Sequence, residues 1–388
     1  MIRRDAERQL RSLARRFPVV TVMGPRQSGK TTLCRGVFGK LPYRSLETPD
    51  TRDFAEQDPR GFLAELRHGA VLDEVQRAPQ LLSYLQEIVD ARGAPRPWVL
   101  TGSWNFVLLA TVSQSLAGRS AVLHLLPPSW DELLRFPRPP KSLREALWTG
   151  AYPRIHDQRL PASDFLSSYV ATYVERDVRQ MLNVGDLRTF QTFLQLCAAR
   201  SGQLLNLSSL GADAGVSQPT ARKWISVLEA SYLVHLLRPF HRNLGKRLVK
   251  TPKLHFVDSG LLCFLLGIRT AAELDRHPLR GAVFESWVVS EVLKSRLHRG
   301  VPPRLSFYRD QPGLEVDLVV EEGRRVEAVE IKSGQTIASD ALASLVKFRE
   351  RWSGERIPLR SWLVYGGETP QNRSGARVLS WRGISSLR

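Results

Sequence analysis

Residues 24–31 read Gly-Pro-Arg-Gln-Ser-Gly-Lys-Thr and match the phosphate-loop pattern GxxxxGK[ST] without a gap. An apolar, strand-like run, Val19–Met23, precedes the motif, and a helix-compatible run, Thr31–Phe38, follows it. The motif needs this order of strand, loop and helix, because the N–H groups of the loop and the start of the helix together bind phosphate oxygens. The sequence therefore predicts a P-loop nucleotide-binding domain. The alternative is a glycine-rich turn that matches the pattern by chance.

The motif gives individual residues expected roles. Lys30 is expected to reach the outer phosphates of ATP, and the hydroxyl of Thr31 is expected to bind Mg²⁺. The other predicted nucleotide contacts are Gly24, Pro25, Arg26, Gln27, Ser28, Gly29 and Thr32. ATP and Mg²⁺ are therefore the predicted cofactors.

A second motif supports this prediction. Residues 70–74 read Ala-Val-Leu-Asp-Glu, which is an apolar run typical of a buried parallel strand followed by two acids. Acids at this end of a strand lie where open α/β sheets bind ligands. We expect Asp73 to hold Mg²⁺, directly or through water, and Glu74 to deprotonate the attacking water. For an isolated Asp-Glu pair, a solvated strand end is the alternative.

Residues farther along the chain are candidates to complete an ATPase site. A third strand-like run, Trp98–Leu100, is followed by Ser103 and Asn105, either of which is a candidate γ-phosphate sensor. Ordinary turn chemistry explains these two residues equally well. Arg119 is the first candidate for an arginine finger supplied across a subunit interface, which predicts a homo-oligomer. Arg154 is the second candidate, acting within its own subunit, and either arginine can instead be a plain surface residue.

The fold class is predicted from the alternation of strands and helices over residues 19–136. This alternation predicts a parallel sheet with helices on both faces. The candidate strands are 19–23, 43–46, 70–74, 98–103 and 120–126, and a proline-rich stretch at 135–140 closes the unit. The predicted domains are an ATPase core at 1–140, a helical lid or connector at 141–200, a winged helix-turn-helix at 201–272 and a restriction-endonuclease-like α/β domain at 273–388.

The balance of charge favours an anionic partner. The 388 residues carry 56 Lys and Arg against 38 Asp and Glu, a net charge of +18, which favours nucleic acid before membrane. Because only ten of the basic residues are lysines, part of the arginine content can reflect genomic base composition.

Three features predict a cytoplasmic protein without a membrane partner. The cysteines, Cys34, Cys197 and Cys263, are far apart and form neither a CxxC motif nor a metal-ligand spacing. The first eight residues lack the apolar core of a signal peptide. No apolar run approaches the ~20 residues that span a bilayer.

The segment 143–196 has helical sequence and contains a charged run at 173–179. It is either a lid over the nucleotide or a simple connector with solvated charges. From about residue 204 the pattern changes to helix, turn, helix and then strand. Ser208 is the predicted cap of the first helix, and Pro219 fits the first turn of the second, Thr220–Ala230. This order is typical of a winged helix-turn-helix, whose second helix can enter the major groove of DNA.

The charge of this segment supports binding to nucleic acid. Residues 200–256 carry nine basic and two acidic residues, a net charge of +7. The basic residues are Arg200, Arg222, Lys223, Arg238, Arg242, Lys246, Arg247, Lys250 and Lys253. Phosphate contacts by such groups make binding strongly dependent on salt. The alternative is a winged-helix fold that serves only to pack domains together.

The C-terminal region contains a possible second catalytic site. Asp317 lies in a strand-like run, and the next run carries Glu330 and Lys332 two residues apart, so that both project from one face. Glu285, on an upstream amphipathic helix, is a plausible further ligand. Carboxylates of this kind bind Mg²⁺, which can generate hydroxide for phosphodiester hydrolysis with Lys332 assisting. The alternatives are surface charges on a hairpin, or a nuclease-like fold that is catalytically idle.

Taken together, these motifs resemble a prokaryotic family of AAA-type P-loop ATPases with a C-terminal domain of unknown function and a nuclease-like fold. The stretches that carry the resemblance are 24–31, 72–76, 100–103, 115–119, 173–178, 256–261, 315–317 and 330–332. Trp104 departs from the family pattern, in which small polar residues are usual at this position. The resemblance implies ATP binding and a ring or other oligomer.

The sequence thus predicts a Mg²⁺-dependent ATPase that couples ATP binding and hydrolysis to binding or remodelling of DNA, duplex or branched. Two alternatives stay open. One is an ATP-dependent switch that binds a protein in a defence or toxin–antitoxin module. The other is a metal-dependent nuclease gated by ATP.

Overall fold

A computed structural model describes residues 2–91, 97–102, 116–172, 186–240, 250–310, 312–373 and 375–387. The chain forms two compact units. The first comprises Met1–Pro128, Ala230–Tyr232 and Arg296–Val301, and the second comprises Ser129–Glu229, Leu233–Ser295 and Pro302–Arg388.

The first unit is built on a five-stranded sheet in which every pairing is parallel. Its strands are β1 Val19–Met23, β2 Tyr43–Ser45, β3 Val71–Asp73, β4 Trp98–Gly102 and β5 Ser120–His124, in the order β2-β3-β4-β1-β5. Its helices are α1 Ala6–Arg16, α2 Lys30–Val37, α3 Pro49–Gln57, α4 Pro59–Glu65 and α5 Leu81–Ala91. All five predicted strands are therefore confirmed.

The central strand β1 explains why both faces of this sheet are covered. All five of its residues are buried. Val19 and Met23 pack into one hydrophobic cluster, whereas Val20 and Val22 pack into another, as expected for side chains that alternate between the faces of a strand. The phosphate-loop motif thus begins at the end of a strand that is fixed from both sides.

The second unit contains an eight-stranded mixed sheet and most of the later helices. The strands are β6 Val234–Pro239, β7 Lys253–Phe256, β8 Leu305–Arg309, β9 Glu315–Glu322, β10 Arg325–Lys332, β11 Leu359–Tyr365, β12 Gln371–Arg373 and β13 Ala376–Ser380, in the order β12-β13-β11-β10-β9-β8-β6-β7. The helices are α6 Trp130–Leu133, α7 Leu143–Thr149, α8 Pro153–Gln158, α9 Ala162–Tyr169, α10 Leu187–Ala199, α11 Leu207–Ala214, α12 Gln218–Ala230, α13 Ser259–Leu265, α14 Ala271–Arg276, α15 Arg280–His298 and α16 Ala343–Trp352.

The helix-turn-helix region has the predicted order of elements. Helix α11 ends at a turn in which Gly215 adopts a left-handed conformation (φ 72°), α12 follows, and β6 pairs antiparallel with β7. The predicted helix cap was wrong. The side chain of Asn206, not Ser208, accepts hydrogen bonds from the N–H groups of Ser208 and Ser209. Assignment of the region as a DNA-binding winged helix-turn-helix stays a prediction.

Two stretches far apart in the sequence meet around the buried carboxylate of Asp258. This carboxylate caps α13 by accepting from the N–H of Leu261 at 2.8 Å, and it also accepts from the N–H of Ala151 at 2.7 Å. Gly150 has a positive φ of 68°, and a side chain there would overlap the Asp258 carboxylate. The contact therefore requires glycine at position 150.

Across the described ranges, no helix is both long enough and apolar enough to cross a membrane.

Candidate functional site

The phosphate loop leaves β1 through a tight turn that depends on glycine. A Cβ on Gly24 would overlap the carbonyl oxygen of Leu125. Gly29, which caps α2, and Gln27 both have positive φ angles, of 92° and 64°. The backbone of the loop thus curls towards the first turn of α2, where helix N–H groups lack partners within the helix and favour an anion.

Lys30 is buried at the base of this loop. Its Nζ donates to the carbonyl oxygens of Gly24 and Pro25 at 3.0 and 2.9 Å. Burial lowers the pKa of Lys30, although the carboxylates of Glu74 and Asp73 act in the opposite direction. The ammonium group is thus held within the phosphate loop, and its contact with the outer phosphates stays a prediction.

Asp73 is the centre of a network of hydroxyl groups. The hydroxyl of Thr31 donates to its two carboxylate oxygens at 3.1 and 2.9 Å, and the hydroxyl of Tyr43 donates at 2.7 Å. The hydroxyl of Thr101 also donates to Asp73. Because these hydroxyls come from α2, β2 and β4, three elements fix one carboxylate at the end of β3.

Glu74 follows directly in a left-handed conformation, with φ 55° and ψ 46°. The oxygen of the Thr101 hydroxyl accepts from its N–H at 3.4 Å, and its carboxylate accepts from the side chain of Gln76. A left-handed backbone is uncommon for a residue other than glycine, and such positions are enriched at functional sites. The acid therefore departs from the strand at the edge of the sheet where the phosphate loop lies.

Three residues of this site were missed by the sequence analysis. Tyr43 and Thr101 bond Asp73 directly, and buried Arg4 donates to the carbonyls of Ser28 and Leu126, at 2.8 Å each. Burial and the hydrogen bond to Asp73 raise the pKa of Tyr43 to about 12, so its hydroxyl acts as a donor at neutral pH. Ser103 and Asn105, the candidate γ-phosphate sensors after β4, lie outside the described residues, as does Trp104.

A cavity of about 490 Å³ lies beside α2. Thr31 and Thr32 line it, together with the aromatic rings of Phe38 and Tyr43. The guanidinium of Arg35 stacks over the ring of Tyr43 at 4.9 Å. Thr32, a predicted nucleotide contact, therefore faces open space next to the predicted metal position.

Arg119 lies at the other end of the sheet from the phosphate loop. Its carbonyl accepts from the N–H of Val19, where β1 begins, and its Nη2 donates to Asp90 at 2.8 Å. The five residues of β1 separate this position from the loop by about 16 Å at ~3.3 Å per residue. Arg154 belongs to the second unit, where its Nε donates to Gln158 at 2.8 Å.

The C-terminal carboxylates come together, but with two lysines among them. The β9–β10 hairpin brings Asp317 next to the strand that carries Glu330, where the N–H of Ile331 donates to the Asp317 carboxylate at 2.8 Å. Buried Lys253 bonds Glu285 at 2.9 Å and Glu315 at 2.6 Å, and Lys332 bonds Glu330 at 2.6 Å. Lys253 and Glu315 were not predicted as part of this cluster. We call Lys253, Glu285, Glu315, Asp317, Glu330 and Lys332 the carboxylate–lysine cluster.

The electrostatics of the cluster follow from burial. Burial raises the pKa of Glu285 to about 7, against the influence of Lys253. Burial and the neighbouring Asp317 raise the pKa of Glu330 to about 7. Burial lowers the pKa of Lys253, but Glu285, Asp317 and Glu315 outweigh that effect and raise it above its ordinary value. The two lysines, together with Arg309 beside Glu315, therefore supply positive charge to these carboxylates.

The predicted metal ligands do not form a ready metal site. In the described part of the chain, no group of three or more His, Cys, Asp or Glu side chains could hold a metal ion. Two of the three predicted ligands are already paired with lysines, Glu285 with Lys253 and Glu330 with Lys332. Binding of Mg²⁺ by Glu285, Asp317 and Glu330 stays a prediction that requires Lys253 to be displaced.

The structure also corrects the list of basic residues in the segment 200–256. Lys253 is only 3% exposed and is paired with two carboxylates, so its inclusion among phosphate-contacting residues was wrong. Arg200 is paired with Asp213. The exposed basic residues that remain are Arg222, Lys223, Arg238 and Lys250. Arg242, Lys246 and Arg247, like the charged run at 173–179, lie outside the described residues.

Comparison with known proteins supports the assignment of the first unit. A family model described as an AAA domain matches residues 16–134. Models described as domains of unknown function match residues 140–272 (DUF8612) and 280–383 (DUF4143).

Two similar curated proteins are the uncharacterized proteins Rv2008c of Mycobacterium tuberculosis and Mb2031c of Mycobacterium bovis. Each is 33% identical over 338 residues, which cover 86% of this chain and 74% of the relative. A similar solved structure is the Walker-type ATPase PABY2304 of Pyrococcus abyssi, with 15% identity and a TM-score of 0.47 over 67% of this chain and 94% of that one. At 33% identity over 86% of its length, the chain belongs to the same family as the two mycobacterial proteins, and it carries an AAA domain at residues 16–134 and a DUF4143 domain at residues 280–383.

Proposed function

We propose that this protein is a Mg²⁺-dependent ATPase that couples ATP binding and hydrolysis to the binding or remodelling of DNA. The observation that carries the proposal is the junction of the phosphate loop with the acidic end of β3. There, the Thr31 hydroxyl bonds both oxygens of Asp73, and Lys30 lies buried beside the loop carbonyls.

The residues at this junction fit a metal-bound nucleotide. The hydroxyl of Thr31 and the carboxylate of Asp73 are oxygen ligands of the kind that Mg²⁺ takes in proteins. The Ser28 hydroxyl is buried in the loop and has no hydrogen-bond partner among the described residues, so a donor is left for a phosphate oxygen. When bound, Mg²⁺ would neutralise charge that develops on the transferring phosphoryl group.

The protein residues then have distinct roles in hydrolysis. Lys30 binds and orients the outer phosphates, and Asp73 with Thr31 fixes the metal. Glu74 accepts the proton of the attacking water, and Thr101 orients both acids because its hydroxyl contacts Asp73 and the N–H of Glu74. A finger role for Arg119 is compatible only with action on a neighbouring subunit, since Arg119 is about 16 Å from the loop of its own subunit.

Coupling to DNA is supported by the charge of α12. Arg222 and Lys223 are exposed on this helix, the second of the helix-turn-helix, whereas Trp224 and Ile225 are buried. A helix with a basic outer face and an apolar inner face is suited to contact the DNA backbone or major groove. The net charge of +18 acts in the same direction.

The decisive experiment measures ATP hydrolysis at moderate salt with duplex, single-stranded and four-way-junction DNA, and without DNA. Stimulation by one of these, abolished by Lys30→Ala, is the expected result and identifies the class of DNA. Hydrolysis that no DNA changes would reject the coupling and favour the protein-binding switch.

The ATP-gated nuclease is disfavoured by Lys253, which is paired with Glu285 and Glu315 within the carboxylate–lysine cluster. If the cluster nevertheless binds metal, the protein will cut DNA when Mg²⁺ is added, and Lys332→Ala will abolish cutting. We expect no cutting by the wild-type protein under conditions in which ATP is hydrolysed.

A further inference from the structure

An open groove lies at the edge of the eight-stranded sheet, in the C-terminal part of the second unit. It has a volume of about 330 Å³ and is lined by residues of β11, β12, β13 and α16. None of its ten lining residues is acidic, and four of them are arginines: Arg349, Arg360, Arg373 and Arg377. We call it the arginine groove.

Within the described residues, none of the four arginines forms an ion pair with a carboxylate. Arg349 donates to the hydroxyl of Ser361 at 3.1 Å, and Arg373 donates to the side chain of Gln371 at 3.1 and 3.2 Å. Arg377 stacks over the ring of Trp362 at 5.5 Å. These contacts orient the guanidinium groups without neutralising them.

One carboxylate, Glu327, lies beside Arg360 in the register of β10 and β11. It is already paired with Arg325 at 3.0 Å. Other arginines of the same domain do have acidic partners, for example Arg351 with Asp310 and Arg382 with Glu368. Because Glu327 also interacts electrostatically with Arg360, the groove arginines without an acidic partner among the described residues are Arg349, Arg373 and Arg377.

The turn between β12 and β13 keeps this groove open. Gly375 has a positive φ of 80°, and a side chain at this position would overlap the guanidinium of Arg349. Glycine thus adopts this backbone conformation without strain and leaves room for the Arg349 side chain at the groove.

We propose that the arginine groove binds the phosphate backbone of a nucleic acid strand. Guanidinium groups bind phosphate oxygens through two parallel hydrogen bonds, which makes arginine well suited to this ligand. Arg360 and Arg377, on the adjacent strands β11 and β13, project from one face at the edge of the sheet, because Arg377 is paired with Trp362. Arg373, paired with Ala376, and Arg349, bonded to Ser361, lie towards the other face, so the groove presents guanidinium groups from both faces of the edge.

An acidic protein segment is the competing ligand, because β12 is an edge strand that could pair with a peptide. The lining is less suited to a peptide. The apolar residues that line the groove are Leu359, Trp362 and Ala376, whose side chains are buried or half-buried. They offer little surface to the side chains of a peptide that pairs with the strand. Nucleic acid is therefore the favoured partner.

The inference rests on the proposed function, since it places part of the DNA-binding surface of that ATPase. The test compares the full-length variants R360A/R373A, in the groove, and R276A/R324A, which remove the same charge from exposed positions outside it. Binding of fluorescently labelled 20-nucleotide single-stranded and duplex DNA is measured by anisotropy as a function of salt. ATP hydrolysis without DNA is measured in parallel.

We expect R360A/R373A to raise the Kd for DNA by about tenfold or more at 100 mM salt, because two charged hydrogen-bond donors are lost. The slope of log Kd against log salt should fall by about 1.4–1.8, the release of two counterions from single-stranded or duplex DNA. R276A/R324A should change neither quantity appreciably, and hydrolysis without DNA should be the same in all three proteins.

Equal DNA binding by the two variants would overturn the inference while leaving the proposed function intact. Loss of binding to a labelled poly-glutamate peptide in R360A/R373A, with DNA binding unchanged, would identify an acidic protein partner instead. Groove-dependent DNA binding without stimulation of hydrolysis would retain the groove and reject the coupling. A wild-type protein that binds no DNA would overturn both.

Discussion

The hydroxyl of Thr31 lies 3.1 and 2.9 Å from the two carboxylate oxygens of Asp73, although 42 residues separate them in the sequence. The contact exists because β1 and β3 flank β4 in one parallel sheet, which brings the ends of both strands to the same edge. The two residues predicted to hold Mg²⁺ therefore lie together at this edge, and the first prediction concerns Glu74, the acid that follows Asp73.

Glu74→Gln should abolish ATP turnover and retain nucleotide. The amide keeps the shape of the side chain but cannot accept a proton, so we expect kcat to fall by at least about 10²-fold. Steady-state hydrolysis and binding of a fluorescent ATP analogue check this, with Lys30→Ala as the variant that loses nucleotide. Turnover at the wild-type rate would remove Glu74 from its role as base.

Thr101→Val should lower kcat with little effect on nucleotide affinity. The substitution keeps the branched shape but removes the hydroxyl that contacts Asp73 and the N–H of Glu74, so both acids lose a positioning contact. We expect a decrease of about tenfold, the equivalent of one lost hydrogen bond to a charged group. The matched control is Thr21→Val on the neighbouring strand, where a buried hydroxyl contacts the hydroxyl of Ser120. Equal losses in the two variants would point to a general effect of removing a buried hydroxyl from this sheet.

Lys253→Met should destabilise the second unit far more than Arg309→Met. Both cations contact Glu315, but Lys253 is 3% exposed, whereas the Arg309 side chain is 41% exposed. Removal of one partner from a buried pair leaves an uncompensated charge and costs about 3–5 kcal/mol, whereas an exposed pair contributes about 0–1 kcal/mol. Urea denaturation of the two variants measures the difference.

A second substitution refines this test. Glu285 is the other partner of Lys253, so Lys253→Met combined with Glu285→Gln should recover part of the lost stability. A double variant no more stable than Lys253→Met would indicate that packing of the lysine stem, not its charge, holds the cluster together.

Much of the first unit could be predicted from sequence because its signals are local. The phosphate loop, the apolar strands and the acids after β3 each occupy a few consecutive residues. The contacts of Tyr43, Thr101 and Arg4 could not be predicted in this way, since their partners are brought close only by the order of strands in the sheet. No local pattern distinguishes Thr101 from any other threonine at the end of a strand.

The C-terminal domain shows a different limit. The motif correctly grouped Asp317, Glu330 and Lys332, because residues two apart on a strand share a face. It did not reveal Lys253, which lies 62 residues before Glu315 and was counted as a DNA contact because of its charge. A pattern of carboxylates in the sequence identifies the negatively charged residues of a site. Only the fold determines whether a metal ion or a lysine neutralises their charge.

The carboxylate–lysine cluster should make stability depend on pH between about 4.5 and 7. Burial raises the pKa of Glu330 from 4.5 to about 7 in the folded protein, with Asp317 adding to the effect. Between these values the folded state binds more protons than the unfolded state, so this contribution to stability is full at low pH and is lost as pH rises through 7. Glu330→Gln removes it, and its melting temperature should therefore fall less than that of the wild-type protein between pH 5 and pH 7.5. Differential scanning fluorimetry at both pH values measures this, with Glu350→Gln, an exposed residue of α16, as the control. Identical pH dependence in the wild-type protein and Glu330→Gln would mean that Glu330 stays ionised throughout, with Lys332 alone sufficient to neutralise it.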